Sequence, residues 1–240
     1  MENKFQLLIE RLLPKLSKTE TIDPSHDGGH VQRVLNIAIK IAETEHADME
    51  VIIPAAIFHD SFIYQKNDER NKFATEKSSE FAKEVLEEII DFPKHKIPHV
   101  VMCILECSYS KGIFPSTLES KILQDADRLE ATGAISIMRT FSSGGQMGLP
   151  FYNPEDPFRE NSDPLNTEFS LDLLYRRLFL VTAGMNTETA RIMAQRRHEF
   201  LKVFENELRV ELGETGVWEV PPTDEEKRNG WYARRHNFMD

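Results

Sequence analysis

The sequence is poor in cysteine. Its 240 residues include only two, Cys103 and Cys107, which lie close together in a segment with helical periodicity. A secreted disulfide framework needs more cysteines than this and a spacing that pairs them. We therefore expect two thiols in the core of a cytoplasmic protein.

Long apolar runs are also missing. No segment approaches the roughly 20 apolar residues that a membrane span requires. The N-terminal segment, "MENKFQLLIERLLPKLSK", contains acidic side chains and lacks a small-residue cleavage site. It predicts an amphipathic helix rather than a signal peptide, and we expect no membrane partner.

Positive charge is scarce relative to negative charge. The chain has 29 Lys and Arg against 40 Asp and Glu, which gives a net charge of −11. A surface of this sign repels phosphate backbones and disfavours a nucleic-acid polymer as partner. A small anionic substrate is still compatible with it, because a bound cation can reverse the local field in one pocket.

What the sequence does contain is helical periodicity. Apolar residues recur at three- and four-residue steps, as in "HVQRVLNIAIKIAETEHA", and this pattern predicts an all-α fold. In "MEVIIPAAIFHD", Pro54 is best tolerated near the first turn of a helix. The segment "SKILQDADRLEATGAISIMRTF" predicts a helical stretch that is closed by Gly144 and Gly145.

The chain divides by composition into a helical domain and a tail. Residues 144–168 are rich in Gly, Pro and Asn and predict a long loop, which is more often functional than idle. We expect one domain with C-terminal helices over residues 1–212. Residues 213–240 would then form either a mobile end or an interface, and a homodimer is compatible with this organisation.

Side chains of the types that bind metal ions occur in three separate segments. They are His26 and His30 in "DPSHDGGHVQRV", His59 and Asp60 in "AAIFHD", and Asp125 and Asp127 in "QDADRLEATGA". Taken singly, each group has a simpler explanation: a capping or core histidine, a solvated helix end, or an intrahelical ion pair.

Together these side chains offer imidazole nitrogens and carboxylate oxygens from separate helices. Such a set suits a borderline or hard divalent ion such as Mn, Fe, Co, Ni or Zn. Four protein ligands on a six-coordinate ion would leave two positions for water and substrate. That arrangement is typical of a catalytic metal rather than a structural one.

These motifs, in this order, resemble the HD-domain superfamily of metal-dependent phosphohydrolases. "SHDGGHVQRVLNIA" is similar to the family's first motif helix, "AAIFHD" to its HD segment and "ADRLEA" to the element with the last aspartate. "LQDADRLEATGAISIMRTFSSGG" and "MNTETARIMAQRRHEFLKVF" further resemble a bacterial branch with a single HD domain. The resemblance covers roughly residues 15–212 and implies an HD-type helical bundle.

The resemblance implies a role for each matching residue. The implied ligands of one divalent ion are His30, His59, Asp60 and Asp127. Asp125 is implied to orient a ligand from behind, although it could exchange places with Asp127 without violating the spacing. His26 and Asp27 would face the open side of the ion, with Asp60 or His26 as general acid or base.

One departure from the family pattern bears on the number of ions. Relatives in this branch often carry a histidine where this chain has Cys107, and in HD enzymes with two metals such extra histidines help to hold the second ion. We therefore expect a single divalent metal, with Mn, Co, Ni, Fe, Mg and Zn not distinguished by the residues.

Three basic residues could bind a substrate phosphate: Lys66, Arg70 and Arg33. Lys66 and Arg70 could equally lie in a solvated loop, and the resemblance favours the binding role. The implied reaction is hydrolysis of a phosphate ester or phosphoanhydride, foremost of a nucleotide, by attack of metal-bound water.

Three other functions stay open at this point. One is a phosphodiesterase, which the absence of a "GYP" extension disfavours. Another is a nucleotide-sensing HD domain without turnover, and the third is a metal-dependent oxygenase, which would need further metal ligands.

Overall fold

The computed structural model describes residues 3–16, 28–64, 68–160, 167–175 and 184–213. The fold is all-helical, as predicted, and these residues contain no strand. Their α-helices, in chain order, are α1 (Asn3–Leu12), α2 (Gly28–Glu45), α3 (Met49–Phe58), α4 (Ala74–Glu88), α5 (Ile97–Glu106), α6 (Leu118–Glu130), α7 (Gly133–Gln146), α8 (Ser170–Leu174) and α9 (Glu188–Glu211). Within the described ranges, no helix combines the length and apolar character needed to cross a bilayer.

Helix α3 lies at the centre of the core. Every residue from Val51 to Phe58 is buried, and α1, α2, α4, α5 and α6 all pack against this helix. The Asp48 carboxylate accepts a hydrogen bond from the Glu50 amide at 3.0 Å and caps the start of the helix. Pro54 lies inside α3 rather than in its first turn, because burial of the apolar side chains around it outweighs the lost backbone hydrogen bond.

Two helices, α6 and α7, replace the single helical stretch that the periodicity predicts. Gly133 begins α7 with a φ of +77°, a left-handed conformation that glycine adopts without steric cost. The Arg197 side chain of α9 donates hydrogen bonds to the carbonyl oxygen of Leu129 and to the hydroxyl of Thr132. The Leu129 carbonyl also accepts hydrogen bonds from the amide and the hydroxyl of Thr132, so Arg197 adds to the capping of the C-terminal end of α6.

The Gly- and Pro-rich connection after α7 is tied to the start of α8. Gly144 and Gly145 belong to α7, so the connection begins at Met147 rather than at 144. Arg159 Nε lies 2.5 Å from Asp172 Oδ1, and both side chains are almost fully buried. Residues 161–166 of this connection lie outside the described residues.

The chain forms two compact units, Met1–His198 and Glu199–Asp240. Helix α9 ends before Gly213, whose φ of +77° is typical of a helix C-terminus. The expected division at 212 and 213 stays a prediction, because residues 214–240 lie outside the described residues.

Candidate metal centre

His59 lies directly after α3, where the apolar helix reaches the edge of the core. Its Nδ1 is 2.9 Å from the carbonyl oxygen of Ala56. Since a carbonyl oxygen only accepts, Nδ1 carries the proton and Nε2 keeps its lone pair. The ring is 1% exposed, and Nε2 has no hydrogen-bond partner among the described residues. A buried imidazole nitrogen of this kind is suited to coordinate a metal ion.

His30, near the start of α2, faces His59 with ring centroids 5.5 Å apart. Its Nε2 lies 3.4 Å from Asp60 Oδ2 and 3.6 Å from Asp127 Oδ1. His59 Nε2 faces the same two oxygens at 3.7 Å and 3.9 Å. Two nitrogens and two carboxylate oxygens from α2, the end of α3 and α6 therefore converge on one point.

The spacing of these four atoms suits coordination of a divalent cation better than direct hydrogen bonding between them. The four nitrogen–oxygen separations of 3.4–3.9 Å are too long for good hydrogen bonds. Ligands about 2.1 Å from a shared ion lie about 3.0 Å apart at a right angle and about 3.4 Å apart at the tetrahedral angle. The ligand atoms of His30, His59 and Asp127 lie within 4.8 Å of one another. A bound ion would draw the nitrogens and oxygens closer together, and the two carboxylates would balance its charge.

The two kinds of ligand differ in exposure. The His30 and His59 side chains are 4% and 1% exposed, whereas those of Asp60 and Asp127 are 28% and 37% exposed. The histidines form the buried floor of the site, and the carboxylates form its side open to solvent. His26 and Asp27, which the resemblance assigns to that side, lie outside the described residues.

Asp125 and Asp127 point in different directions from α6. Residues two apart on a helix are separated by about 200° around its axis. Asp127 reaches the histidines, whereas the carboxylate of Asp125 is fully buried at the start of α9. There it accepts hydrogen bonds of 2.8 Å from the amides of Asn186 and Thr187, and of 2.9 Å from their side chains. The geometry gives Asp125 a role in joining α6 to α9 and does not support its exchange with Asp127.

Glu130 contacts the other nitrogen of His30, and sequence reasoning did not assign it a role. Its Oε2 lies 3.3 Å from His30 Nδ1, and its side chain is 1% exposed and also contacts Arg139. Asp127 and Glu130 are three residues apart on one face of α6. Asp127 therefore faces Nε2 of His30 and Glu130 faces Nδ1 of the same ring. The signal in the sequence was the spacing of two carboxylates on an otherwise apolar helix face.

The predicted phosphate-binding residues have different surroundings. Arg33 lies beside the site, and its Nε donates to Glu130 Oε1 at 2.8 Å. Arg70 is exposed and bound to the carboxylate of Asp68, with an NH2–Oδ2 distance of 2.6 Å, and this hydrogen bonding lowers the pKa of Asp68 to about 2. Lys66 lies outside the described residues.

Cys107 is buried beside the candidate metal centre. Burial raises the pKa of its thiol well above the ordinary value, and the negative charges of Asp60 and Asp127 raise it further. Burial also raises the pKa of Cys103 to about 12. Both cysteines are free thiols in the core, as the sequence predicts.

Comparisons with known proteins agree with this geometry. The HD domain family model matches residues 28–132, the range that contains all four converging side chains. The uncharacterized protein YpgQ of Bacillus subtilis (strain 168) is 31% identical over 193 residues, covering 78% of this chain and 84% of that protein.

Solved structures show the same similarity. The crystal structure of Bacillus subtilis YpgQ in complex with ADP superposes with a TM-score of 0.62 at 25% identity and covers 87% of this chain and 94% of that one. An HD-superfamily hydrolase from Bacillus thuringiensis superposes with a TM-score of 0.64 at 30% identity and covers 87% of this chain and 98% of that one.

Proposed function

Because this chain belongs to the HD-domain family, we propose that it is a metal-dependent phosphohydrolase that cleaves a phosphate ester or phosphoanhydride of a nucleotide. The observation that carries the proposal is the buried His59 Nε2, which has no hydrogen-bond partner among the described residues. It converges with His30 Nε2 and with the carboxylates of Asp60 and Asp127. Four such ligands suit a catalytic ion rather than a closed structural site.

Different residues of the site would have different roles in hydrolysis. A divalent ion bound by His30, His59, Asp60 and Asp127 would lower the pKa of water and screen the charge of a phosphoryl group. Asp60, with a side chain 28% exposed, would accept a proton at the open side of the site. Arg33 lies near the same side chains and would add positive charge toward a phosphate oxygen.

A nucleotide is the substrate class best supported. The similar YpgQ protein has a crystal structure in complex with ADP, so a nucleotide can bind to this fold. The strongly acidic chain, with a net charge of −11, would attract such an anion only where a bound cation and nearby arginines reverse the field. A nucleotide-sensing domain without turnover shares all these features, and product release separates the two functions.

The test compares two isosteric substitutions on the same helix. Purified protein would be assayed for release of phosphate and pyrophosphate from a panel of nucleotides with Mn²⁺ or Co²⁺. Asp127→Asn should abolish tight metal binding and lower turnover by at least about 100-fold, because it removes a ligand charge. Asp125→Asn should retain metal binding and turnover, although it should lower thermal stability at the α6–α9 junction.

Two results would count against the proposal. Full turnover by the Asp127→Asn protein would exclude hydrolysis at this centre. Metal binding and nucleotide binding without any product from the wild-type protein would instead favour the sensing domain.

A further inference from the structure

An exposed tyrosine lies over a buried cation next to the candidate metal centre. Tyr109 is 53% exposed, and the guanidinium carbon of Arg128 lies 3.8 Å from the centroid of its ring. Arg128 is 5% exposed, directly follows Asp127 in the chain, and donates a hydrogen bond of 2.8 Å to the carbonyl oxygen of Gly184. The guanidinium therefore covers one face of the ring, while about half of the tyrosine surface is exposed.

The segment that carries Tyr109 is held in place from both sides. On one side, Gln124 Nε2 of α6 donates to the carbonyl oxygens of Glu106 and Ile113, at 3.2 Å and 3.0 Å. On the other, Lys111 Nζ donates to Thr75 Oγ1 at 2.8 Å. A ring fixed by its backbone and by a cation beneath it loses little conformational entropy when it binds a flat ligand.

The ring is also close to the reacting groups. Tyr109 follows Cys107 by two residues, and the buried Cys107 lies near the carboxylates of Asp60 and Asp127. Its partner Arg128 is the neighbour of Asp127 on α6. Cys107 and Arg128 thus link the tyrosine to the candidate metal centre, and a nucleotide whose phosphate lies at the ion would have to extend from there to the ring.

We propose that Tyr109, fixed on Arg128, is the stacking surface for the base of a nucleoside phosphate whose phosphate groups bind at the candidate metal centre. The inference rests on the proposed function and deepens it, because it identifies the nucleoside as a recognised part of the substrate. Every nucleobase has a π-face, so stacking on this ring distinguishes nucleotides from bare phosphates more than it distinguishes one base from another.

The test separates recognition of the base from recognition of the phosphates. Binding of methylene-bridged analogues of ATP, which resist hydrolysis, would be measured by calorimetry with Mn²⁺ for the wild-type and Tyr109→Leu proteins. Loss of the stacking partner should weaken binding by about five- to 150-fold. Binding of inorganic tripolyphosphate should be unchanged, because this ligand has no base.

Two further variants serve as controls. Tyr109→Phe keeps the aromatic face and should bind the analogues within about twofold of wild type. Phe114, a nearby aromatic side chain that is 91% exposed, provides the matched substitution Phe114→Leu, which should have no effect on either ligand.

The outcomes separate this inference from the proposed function. Equal weakening for the analogues and for tripolyphosphate, or no weakening at all, would overturn the role of Tyr109. Wild-type protein that cleaves tripolyphosphate but binds no nucleotide analogue would overturn the role of Tyr109 and the nucleotide as substrate, while leaving metal-dependent phosphohydrolysis standing. Loss of analogue binding in Tyr109→Leu, with no wild-type turnover of any nucleotide, would support the stacking role of Tyr109. It would exclude only the proposal that the protein hydrolyses the nucleotide.

Discussion

The two histidines of the candidate metal centre are oriented by different groups. His59 Nδ1 is held by a backbone carbonyl of its own helix, whereas His30 Nδ1 faces the carboxylate of Glu130 on another helix. A backbone acceptor cannot be removed by substitution, but a carboxylate can. Glu130 therefore offers a way to change the orientation and basicity of one ligand without changing any ligand.

Glu130→Gln should weaken binding of Mn²⁺ by about 10- to 100-fold, because the amide holds the imidazole less strongly and does not raise its basicity. Calorimetric titration of the metal-free protein with Mn²⁺ would measure this change directly. Glu119→Gln is the matched control, since Glu119 is also largely buried but accepts a hydrogen bond from the Asp48 amide instead. Unchanged affinity in a folded Glu130→Gln protein would mean that the carboxylate does not position His30.

Helix α6 contacts both the candidate metal centre and the region around α9. One face carries Asp127 and Glu130 toward His30, and another carries Asp125 toward the residues that precede α9. Its C-terminal end accepts a hydrogen bond from Arg197. Displacement of this helix would affect the ligands and the α9 junction together.

The contact between α7 and α8 depends on the absence of a side chain at Gly144. A Cβ atom there would lie 2.8 Å from the Cβ of Ser170, whereas a Cβ at Gly145 would meet nothing within 4 Å. We expect Gly144→Ala to lower the free energy of unfolding by about 1–3 kcal/mol through overpacking. Gly145→Ala should raise it by up to about 1 kcal/mol, because alanine favours the helix. Urea denaturation of both variants would measure the difference, and equal effects would contradict the packing argument.

The stability of the loop before α8 should depend on pH because of the Asp172 carboxyl. Burial raises the pKa of this carboxyl, but hydrogen bonds from Arg159 and from the amides of Phe169 and Glu168 lower it more, so the net pKa lies below the ordinary value. A carboxyl whose pKa is lowered by folding stabilises the folded state at pH values above its unfolded-state pKa of about 3.9. This stabilisation is lost as the pH falls through the folded-state pKa.

Asp172→Asn should therefore lower the free energy of unfolding at pH 7 by about 3–5 kcal/mol, as expected when a buried pair loses one partner. The difference from wild type should shrink as the pH falls below about 4, and chemical denaturation across pH 7 to 3 would follow it. The exposed pair of Asp91 and Arg11 supplies the control: Asp91→Asn should have a much smaller effect, because solvent screens this pair. A pH-independent effect of Asp172→Asn would rule out the charge as its cause.

At the scale of the whole molecule, a bound ion would link the first half of the chain to α6. The converging ligands come from α2, the end of α3 and α6, helices that pack against one another. A ligand that binds only the folded state stabilises all the elements that hold it.

Mn²⁺ at about 100 times its dissociation constant should stabilise the folded protein by about 2.7 kcal/mol. For a chain of this size, that corresponds to a rise in Tm of about 5–11 °C, which addition of EDTA should reverse. Differential scanning calorimetry would measure both steps. The Asp127→Asn protein should show little of this rise, and a rise equal to that of wild type would mean that Mn²⁺ stabilises the protein at another site.

Much of the fold and of the candidate site could be predicted from the amino-acid sequence. The three- and four-residue periodicity predicts the helices, and the motifs with His30, His59, Asp60 and Asp127 identify the HD-domain family, which the comparisons confirm. The roles of these residues in metal binding and catalysis stay predictions. Helix boundaries were harder to predict. Burial outweighs the hydrogen bond that Pro54 costs inside α3, and a contact from Arg197 adds to the left-handed conformation of Gly133 at the break between α6 and α7.

Local patterns determine helical class and motif order because they reflect interactions between residues a few positions apart. Only the tertiary structure decided that Asp127 rather than Asp125 faces the histidines, because that depends on how α6 is rotated against α2 and α9. The same holds for Glu130 behind His30 and for Tyr109 over Arg128. Each of these contacts joins side chains far apart in the chain, and helix packing, rather than spacing in the sequence, brings them together.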